Sequence, residues 1–356
     1  MKVMTPHYYK DFRCIAGACT DTCCAGWDVD VDKNSYKYYK TVKGAFGKRL
    51  KSVMVPSQDG ECTFTLKEGG RCPFLNDDNL CDLYIELGED KLCETCAEFP
   101  RFINDYGNIR EIGIAPSCKT AGELMFSYKD ELTFDTAEDN SLTPEPNDID
   151  AYTYMQLRQA RIVAFGIISD RDISIFERLM LYLDYAKRIQ KHLDAERDEL
   201  IAGVAKRFCG ADYREELLDR LKSRDEKLHG KRLIKGLRHF FDDFKGMEVI
   251  NPDWNIHVAR VRQFLDGLAD DSGLAAVMKT YHAGSEAFAH EYEQLAMYYV
   301  YRYMLDAVND YDILLKAKNA VIGILAVDIM AAANQASGCM PDFTMRVDIA
   351  HLRSEE

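Results

Sequence analysis

Cysteine is the residue type with the most chemistry to offer in this chain, and it is unevenly placed. Ten of the twelve cysteines lie between Cys14 and Cys118, and only Cys209 and Cys339 fall beyond. The first group is Cys14, Cys19, Cys23 and Cys24, followed by Gly26 and Trp27. Cys72 and Cys81 form a second group, Cys93 and Cys96 a third, and Cys118 closes the set, with Cys62 standing alone. Soft thiolates a few residues apart are what an iron–sulfur cluster or zinc requires, because one short loop then presents several ligands to one centre. The adjacent Cys23 and Cys24 project in different directions on most backbones, so the pair is expected to serve two directions. Structural zinc sites favour C-x2-C knuckles, and only Cys93 and Cys96 have that spacing. Disulfides are disfavoured in a chain that stays in the reducing cytosol. The radical-enzyme signature C-x3-C-x2-C begins at Cys19 and Cys23 but ends on Gly26, so it is absent. Cys62, in an alternating stretch, and Cys93 read as small buried apolar residues as readily as ligands. Cys209 and Cys339 are expected in the core. Cys118 opens a helix, where the amides and dipole favour a thiolate.

The elements that must position these thiols are short. Residues 62–66 alternate as a strand, 68–71 turn, and 77–79 turn again before a short helix from Cys81 that Gly88 closes. Glu89 to Phe99 reads as another helix, stopped by Pro100. Residues 102–103 and 112–114 read as a hairpin around Asn104–Asn108, and a helix runs from Pro116 through about Tyr128. Elements of this size bury little surface, and a metal supplies folding free energy in such modules. The acidic segment 129–149, with two prolines, is the expected boundary. The reading is therefore a cysteine-rich metal or iron–sulfur module over 1–128, an acidic linker over 129–149 and a helical domain over 150–356. The fold class is mainly α, with a small α+β cysteine-rich metal-binding N-terminal module.

In the back part, Ile173, Phe176, Leu179, Met180, Leu183, Ala186 and Ile189 keep the spacing of one helix face. Further helices are expected over 212–222, 231–244, 256–268, 285–308 and 317–335. The aromatic run Tyr298 to Tyr303 reads as helix–helix packing, and the eight histidines show no ligand spacing. The apolar fraction of 47% and charged fraction of 29% are those of a globular protein. The net charge of −14 argues against a nucleic-acid partner, which needs clustered Lys and Arg. No apolar run is long enough to span a membrane. The opening Met1–Lys10 lacks the apolar stretch of a secretory signal. The expected location is the cytoplasm.

A family resemblance rests on Pro6, Tyr8, Phe12, Cys14, Cys19, Cys23, Cys24, Gly26 and Trp27, then Cys72-Pro-Phe-Leu, Leu80-Cys81 and Leu87-Gly88. Cys96, Pro100-Arg101 and Ser117-Cys118 complete the pattern. In this order they resemble the flagellin lysine-N-methylase family, and are similar to a wider group of zinc- or iron-chelating cysteine domains. The likeness is specific through about Met125 and weaker over 291–306. It implies methylation of protein lysine, on flagellin or a similar protein, with S-adenosylmethionine as donor and a [4Fe-4S] cluster held by cysteines of this region. The cysteines it implies are Cys14, Cys19, Cys23, Cys24, Cys72, Cys81, Cys96 and Cys118; Cys62 and Cys93 lie outside it.

Nothing in the sequence marks a Rossmann-type methyltransferase, since no Gly-rich loop joins a strand to a helix. The methyl donor would then be chelated by an open iron or held on aromatic faces, which attract a sulfonium. Trp27, Tyr8 and Tyr9 lie near the cysteines in sequence and are the aromatic candidates. Arg71 and Arg101 flank cysteines and are candidates for pairing with a carboxylate. The leading expectation is a cluster-containing lysine N-methyltransferase. The alternative is a non-enzymatic protein-binding scaffold stapled by zinc or iron.

Overall fold

The computed structural model describes residues 1–56, 62–144, 148–228, 232–243, 249 and 251–354. In chain order the front part carries β1 (Lys2–Pro6), β2 (Asp30–Val31), α1 (Lys33–Thr41), α2 (Gly44–Val53), β3 (Met54–Pro56) and β4 (Cys62–Phe64). Then come α3 (Asp82–Leu87), α4 (Glu94–Glu98), β5 (Arg101–Tyr106), β6 (Ile109–Ile114), α5 (Lys119–Ser127) and β7 (Phe134–Glu138). The rest is helical: α6 (Ala151–Ile168), α7 (Ile175–Leu193), α8 (Ile201–Phe208), α9 (Ala211–Leu228), α10 (Arg232–Asp243) and α11 (Asp253–Gly267). It ends with α12 (Asp271–Ser285), α13 (Ala289–Tyr303), α14 (Ala307–Asp310), α15 (Ile313–Ala336) and α16 (Phe343–Ser354). The fold is mainly helical, as the sequence leads one to expect.

Two sheets occur in the front part. The three-stranded one, ordered β2-β4-β3, is antiparallel throughout. The four-stranded one is ordered β5-β6-β1-β7. Here β5 and β6 form the expected hairpin, turning at Gly107, whose φ of +61° suits glycine. β1 runs parallel to β6 and antiparallel to β7. The acidic segment thus contributes a strand, β7, and its residues 145–147 lie outside the described residues.

Each sheet belongs to a different apolar core. Val29, Val31, Tyr39, Leu50, Phe64, Phe74 and Leu83 form a small one with Cys62, Cys72 and Cys93. The large core joins Tyr8, Phe102, Tyr106 and Ile114 of the four-stranded sheet to the helices. Its centre is α15, where Ala326 to Asn334 is buried without interruption, with the three alanines Ala331 to Ala333 presenting little bulk to neighbouring helices. α13 is buried almost as completely. In its aromatic run Tyr298 and Tyr301 are core residues, as expected; Tyr301 also donates to the Met4 carbonyl at 2.7 Å, tying helix to sheet.

Helix boundaries follow the local chemistry. Ser174 and Glu177 make a capping box at the start of α7, and Asp150 caps α6. Two expected helices are interrupted. Residues 89–99 break into a 3-10 turn and α4, because Leu92 and Cys93 are extended. Residues 285–308 break at 286–288 and 304–306, where the winding tightens to 3-10 before and after α13. The ends at Lys231 and Phe244 of another lie outside the described residues; between them runs α10.

A buried ion pair fixes the sheet to the bundle. Arg161 of α6, 2% exposed, makes a two-pronged contact with Glu111 of β6, which is 0% exposed, and donates to the Tyr301 carbonyl at 3.2 Å. Removing one partner strands the other charge away from water. Glu111→Ala is therefore expected to lower stability by ~3–5 kcal/mol in chemical denaturation. A loss below about 1 kcal/mol, as at a surface pair, would refute this role.

Candidate metal centre

Backbone pairing between distant loops brings the thiols together. The Cys72 amide donates to the Cys24 carbonyl at 2.8 Å and the Gly26 amide to the Gly70 carbonyl at 3.1 Å, around a bridge between Ala25 and Arg71. Gly26 and Gly70 take φ of +93° and +70°, and a Cβ on Gly70 would stand 3.4 Å from the Gly26 nitrogen. Glycine at both positions lets the two cysteine loops meet. A second bridge joins Leu75 to Cys81, and the Asp82 amide donates to the Phe74 carbonyl at 2.8 Å. Arg49 of α2 holds this loop from outside, donating to Asp82 and to the Pro73 carbonyl, both at 2.6 Å. Asp32 caps α1 and also accepts from the Glu94 amide at 3.1 Å, which holds Cys93 and Cys96 at the same place.

These links surround a cavity of about 50 Å³ lined by Cys23, Cys24, Cys72, Cys81, Cys93 and Cys96. Trp27, Phe64, Phe74 and Phe99 supply much of the remaining wall, and no carboxylate or imidazole lines it. All twelve cysteines are free thiols. Among the described residues, no three Cys, His, Asp or Glu side chains form a ready-made coordination sphere for one ion. The donor set nevertheless fits a soft, thiolate-bound group: six cysteines, largely apolar surroundings with Thr95 the one hydroxyl, and neither carboxylate nor imidazole in the lining.

Proton affinities reflect the surroundings. Burial pushes the Cys72 thiol up to about 11 and also raises Cys81 and Cys118. The Cys23 thiol bonded to Cys24 holds Cys24 low, while the same bond and burial hold Cys23 high. Cys93 is likewise held low by its bond to Cys96, and Cys96 high. Each pair thus releases one proton readily and resists losing the second. A cation among them would remove that resistance.

The other predicted residues are distributed unequally. Cys14, Cys19 and Cys118 do not line the cavity. Cys118 sits at the N-cap of α5 as expected, and the Thr120 and Ala121 amides favour its thiolate, but burial outweighs them. Trp27 is on the cavity wall, its indole N–H donating to the Cys23 carbonyl at 2.8 Å. Tyr8 is buried in the large core against Tyr128, away from the cavity wall. Arg71 lies near enough to Cys24 to favour its thiolate and donates to Asn79 at 2.9 Å. Arg101 donates to the Tyr9 hydroxyl at 3.0 Å. Neither arginine pairs with a carboxylate among the described residues.

Cys209 and Cys339, expected in the core, are exposed. Cys209 follows Phe208, the last buried residue of α8, and Cys339 follows Gly338, whose φ of +83° turns the chain away after α15. Cys93, left outside the ligand set that the resemblance implies, lines the cavity beside Cys96, with which it shares the C-x2-C spacing. Two residues that the sequence did not single out also matter. His351 of α16 and Asp21 of the first cysteine loop bond at 2.9 Å, a contact that no spacing announces.

The fold and site define a mainly helical protein with a cysteine-lined cavity in its front part. The chain belongs to the FliB lysine N-methylase family: residues 161–356, more than half of it, match the family's "FliB lysine N-methylase C-terminal domain". It is 30% identical over 135 residues to the "Flagellar biosynthetic protein FliU" of Salmonella muenchen, covering 36% of this chain and 80% of that one. It is 29% identical over 135 residues to the "Lysine-N-methylase" of Salmonella choleraesuis, covering 36% of this chain. The chain spans about a third of the length of that lysine-N-methylase and of its Salmonella typhimurium counterpart, 34% of each. No solved structure matches the chain.

Cys62 offers a test of burial independent of metal. It is 1% exposed, and burial raises its thiol from 9.0 to about 11. A group with a raised folded pKa stabilises the fold below its unfolded pKa and loses that contribution as pH rises through the folded value. The native protein is therefore expected to lose stability between about pH 9 and 11, and Cys62→Ala to lessen that slope in thermal melts. An unchanged slope would show that the thiol ionises freely.

Proposed function

We propose that the chain is an S-adenosylmethionine-dependent lysine N-methyltransferase with an iron–sulfur cluster of the [4Fe-4S] type, acting in the cytoplasm on a flagellin-like protein. The observation that carries this reading is the apolar cavity ringed by six thiols, in a family named for lysine N-methylation. The printed names of the relatives, a lysine-N-methylase and a flagellar biosynthetic protein, support the substrate class. Among the described residues no helix is long and apolar enough to cross a membrane.

Cys23, Cys24, Cys72, Cys81 and Cys96 are the residues of the implied set that line the cavity and would hold the group, with Cys93 bonded to Cys96. When bound, such a cluster supplies a Lewis-acidic iron or an electron-transfer centre. The chain's own residues supply the rest. Trp27 offers an aromatic face to a sulfonium, and its bond to the Cys23 carbonyl and its packing on Phe99 fix the ring. Arg71 offers a guanidinium to a carboxylate of the donor. Methyl transfer forms an N–C bond from the lysine lone pair and breaks the S–C bond, whose electron pair stays on sulfur as a thioether. The lysine must therefore arrive neutral, and a wall of Phe64, Phe74 and Phe99 disfavours the ammonium form. The net charge of −14 attracts a cationic segment at long range.

The test is transfer from methyl-labelled S-adenosylmethionine to lysines of flagellin, with protein isolated without oxygen. Label on lysine is expected, with a loss of at least ~100-fold in Cys72→Ser and a smaller loss, mainly in donor affinity, in Trp27→Ala. Neither donor binding by calorimetry nor transfer, with metal-replete protein, would leave a metal-stapled scaffold as the reading.

A further inference from the structure

Two of the cysteine loops meet at a glycine. A Cβ on Gly17, in the 3-10 turn Ala16–Ala18, would stand 2.9 Å from the Asp78 carbonyl oxygen and 3.2 Å from Leu80 Cδ2. Only glycine lets the first cysteine loop lie this close to residues 78–80. On these two loops and the helix that follows, Ile15, Leu80, Tyr84 and Ile85 are between 38% and 58% exposed. We infer, on the methyltransferase reading proposed above, that these four side chains form the docking surface for the lysine-bearing segment of the protein substrate. The segment that fits is a cationic stretch of polypeptide with apolar side chains near its lysine.

The turn before α3 holds Leu80 at the surface. The Asn76 side chain accepts from the Asp78 and Leu80 amides and donates to Asp82, each at 3.0 Å. Asn79 takes the left-handed φ of +56°, which asparagine tolerates better than most residues. α3 then divides its sides. Leu83, 3% exposed, lines the cavity together with Cys81, whose sulfur accepts from the Tyr84 amide at 3.5 Å. Tyr84 and Ile85 remain exposed. One six-residue helix thus carries both a piece of the cavity wall and a piece of the apolar outer surface.

The four side chains belong to neither apolar core, and among the described residues the Tyr84 hydroxyl and ring have no partner. Exposed apolar residues gathered beside a site mark an interaction surface, where scattered ones do not. Charge selects the partner. Residues 76–90 hold six acids and no Lys or Arg. Arg49 pairs with Asp82 and Lys91 with Asp90, whereas Asp77, Asp78, Glu86 and Glu89 have no ion-pair partner among the described residues. Uncompensated carboxylates beside apolar side chains attract a cationic chain and repel an acidic one. The cavity wall has no carboxylate of its own. Attraction of the lysine is thus left to the outer surface, and its desolvation to the cavity.

The probe is a short fluorescent peptide of lysine, leucine and serine, titrated at low salt into full-length protein isolated without oxygen and read by anisotropy. Wild type is expected to bind it. Tyr84→Ser/Ile85→Ser should bind it ~10-fold more weakly, with unchanged circular dichroism and metal content. Glu86→Gln/Glu89→Gln should weaken binding ~3-fold and flatten its salt dependence. Replacing the peptide's leucines by serine should reproduce the first loss, and replacing its lysines by glutamate should abolish binding. Equal affinity in wild type and folded Tyr84→Ser/Ile85→Ser protein, or no binding by wild type, would overturn the docking surface. Methyl donor is absent throughout, so the two readings fail separately. Affinity that falls as expected in a protein that transfers no methyl group would refute the proposed activity and leave the docking surface standing. Methyl transfer by a protein whose peptide affinity the substitutions leave unchanged would do the reverse.

Discussion

Six cysteines line one apolar cavity and are held there against the chemistry of free thiols. A thiol surrounded by Phe64, Phe74 and Phe99 is a weak hydrogen-bonding group with little reason to seek five others, and burial opposes its ionisation. What holds these sulfurs is the backbone pairing of residues 24–26 with 70–72 and of 75 with 81, reinforced by Arg49 and Asp32. The three-stranded sheet and the short helices beside it carry those loops. The sheet's strands are two or three residues long and its apolar core is small, so a bound metal would add folding free energy that this core lacks.

The helical bundle is tied to the front part at both ends of its chain order, through Arg161 of α6 and His351 of α16. The four-stranded sheet joins the large core, and the Glu111–Arg161 pair and the Tyr301 bond to Met4 hold it on α6 and α13. α16 then reaches back to the first cysteine loop through His351. The family match lies over residues 161–356, so the domain that defines membership is also the one that braces the thiols.

Much of this was legible in the sequence because thiols and turns carry local signals. The clustering of the cysteines, the hairpin of residues 101–114 and the helices opened by Cys81 and Cys118 all followed from composition and spacing. The resemblance read from residues 6–118 and the family match over the back part name the same family from different stretches. What stayed hidden was set by tertiary contact. β7 lies in an acidic stretch whose apolar residues, Phe134 and Ala137, are three apart and do not alternate, and it becomes a strand because β1 offers an edge. Tyr8 stands six residues from Cys14 yet faces the large core. Cys209 and Cys339 read as buried by residue type, but each follows a helix end. The bond between Asp21 and His351 spans 330 positions, and no periodicity reports a contact of that range.

The account turns on the thiols being held for a sulfide-containing metal group. The most direct measurement is iron and acid-labile sulfide in protein purified without oxygen, together with its Mössbauer spectrum. The account predicts iron and sulfide in equal amounts and a spectrum of thiolate-bound iron sites. Colourless protein that takes up zinc but no sulfide, and stays folded when offered iron and sulfide in excess, would contradict it.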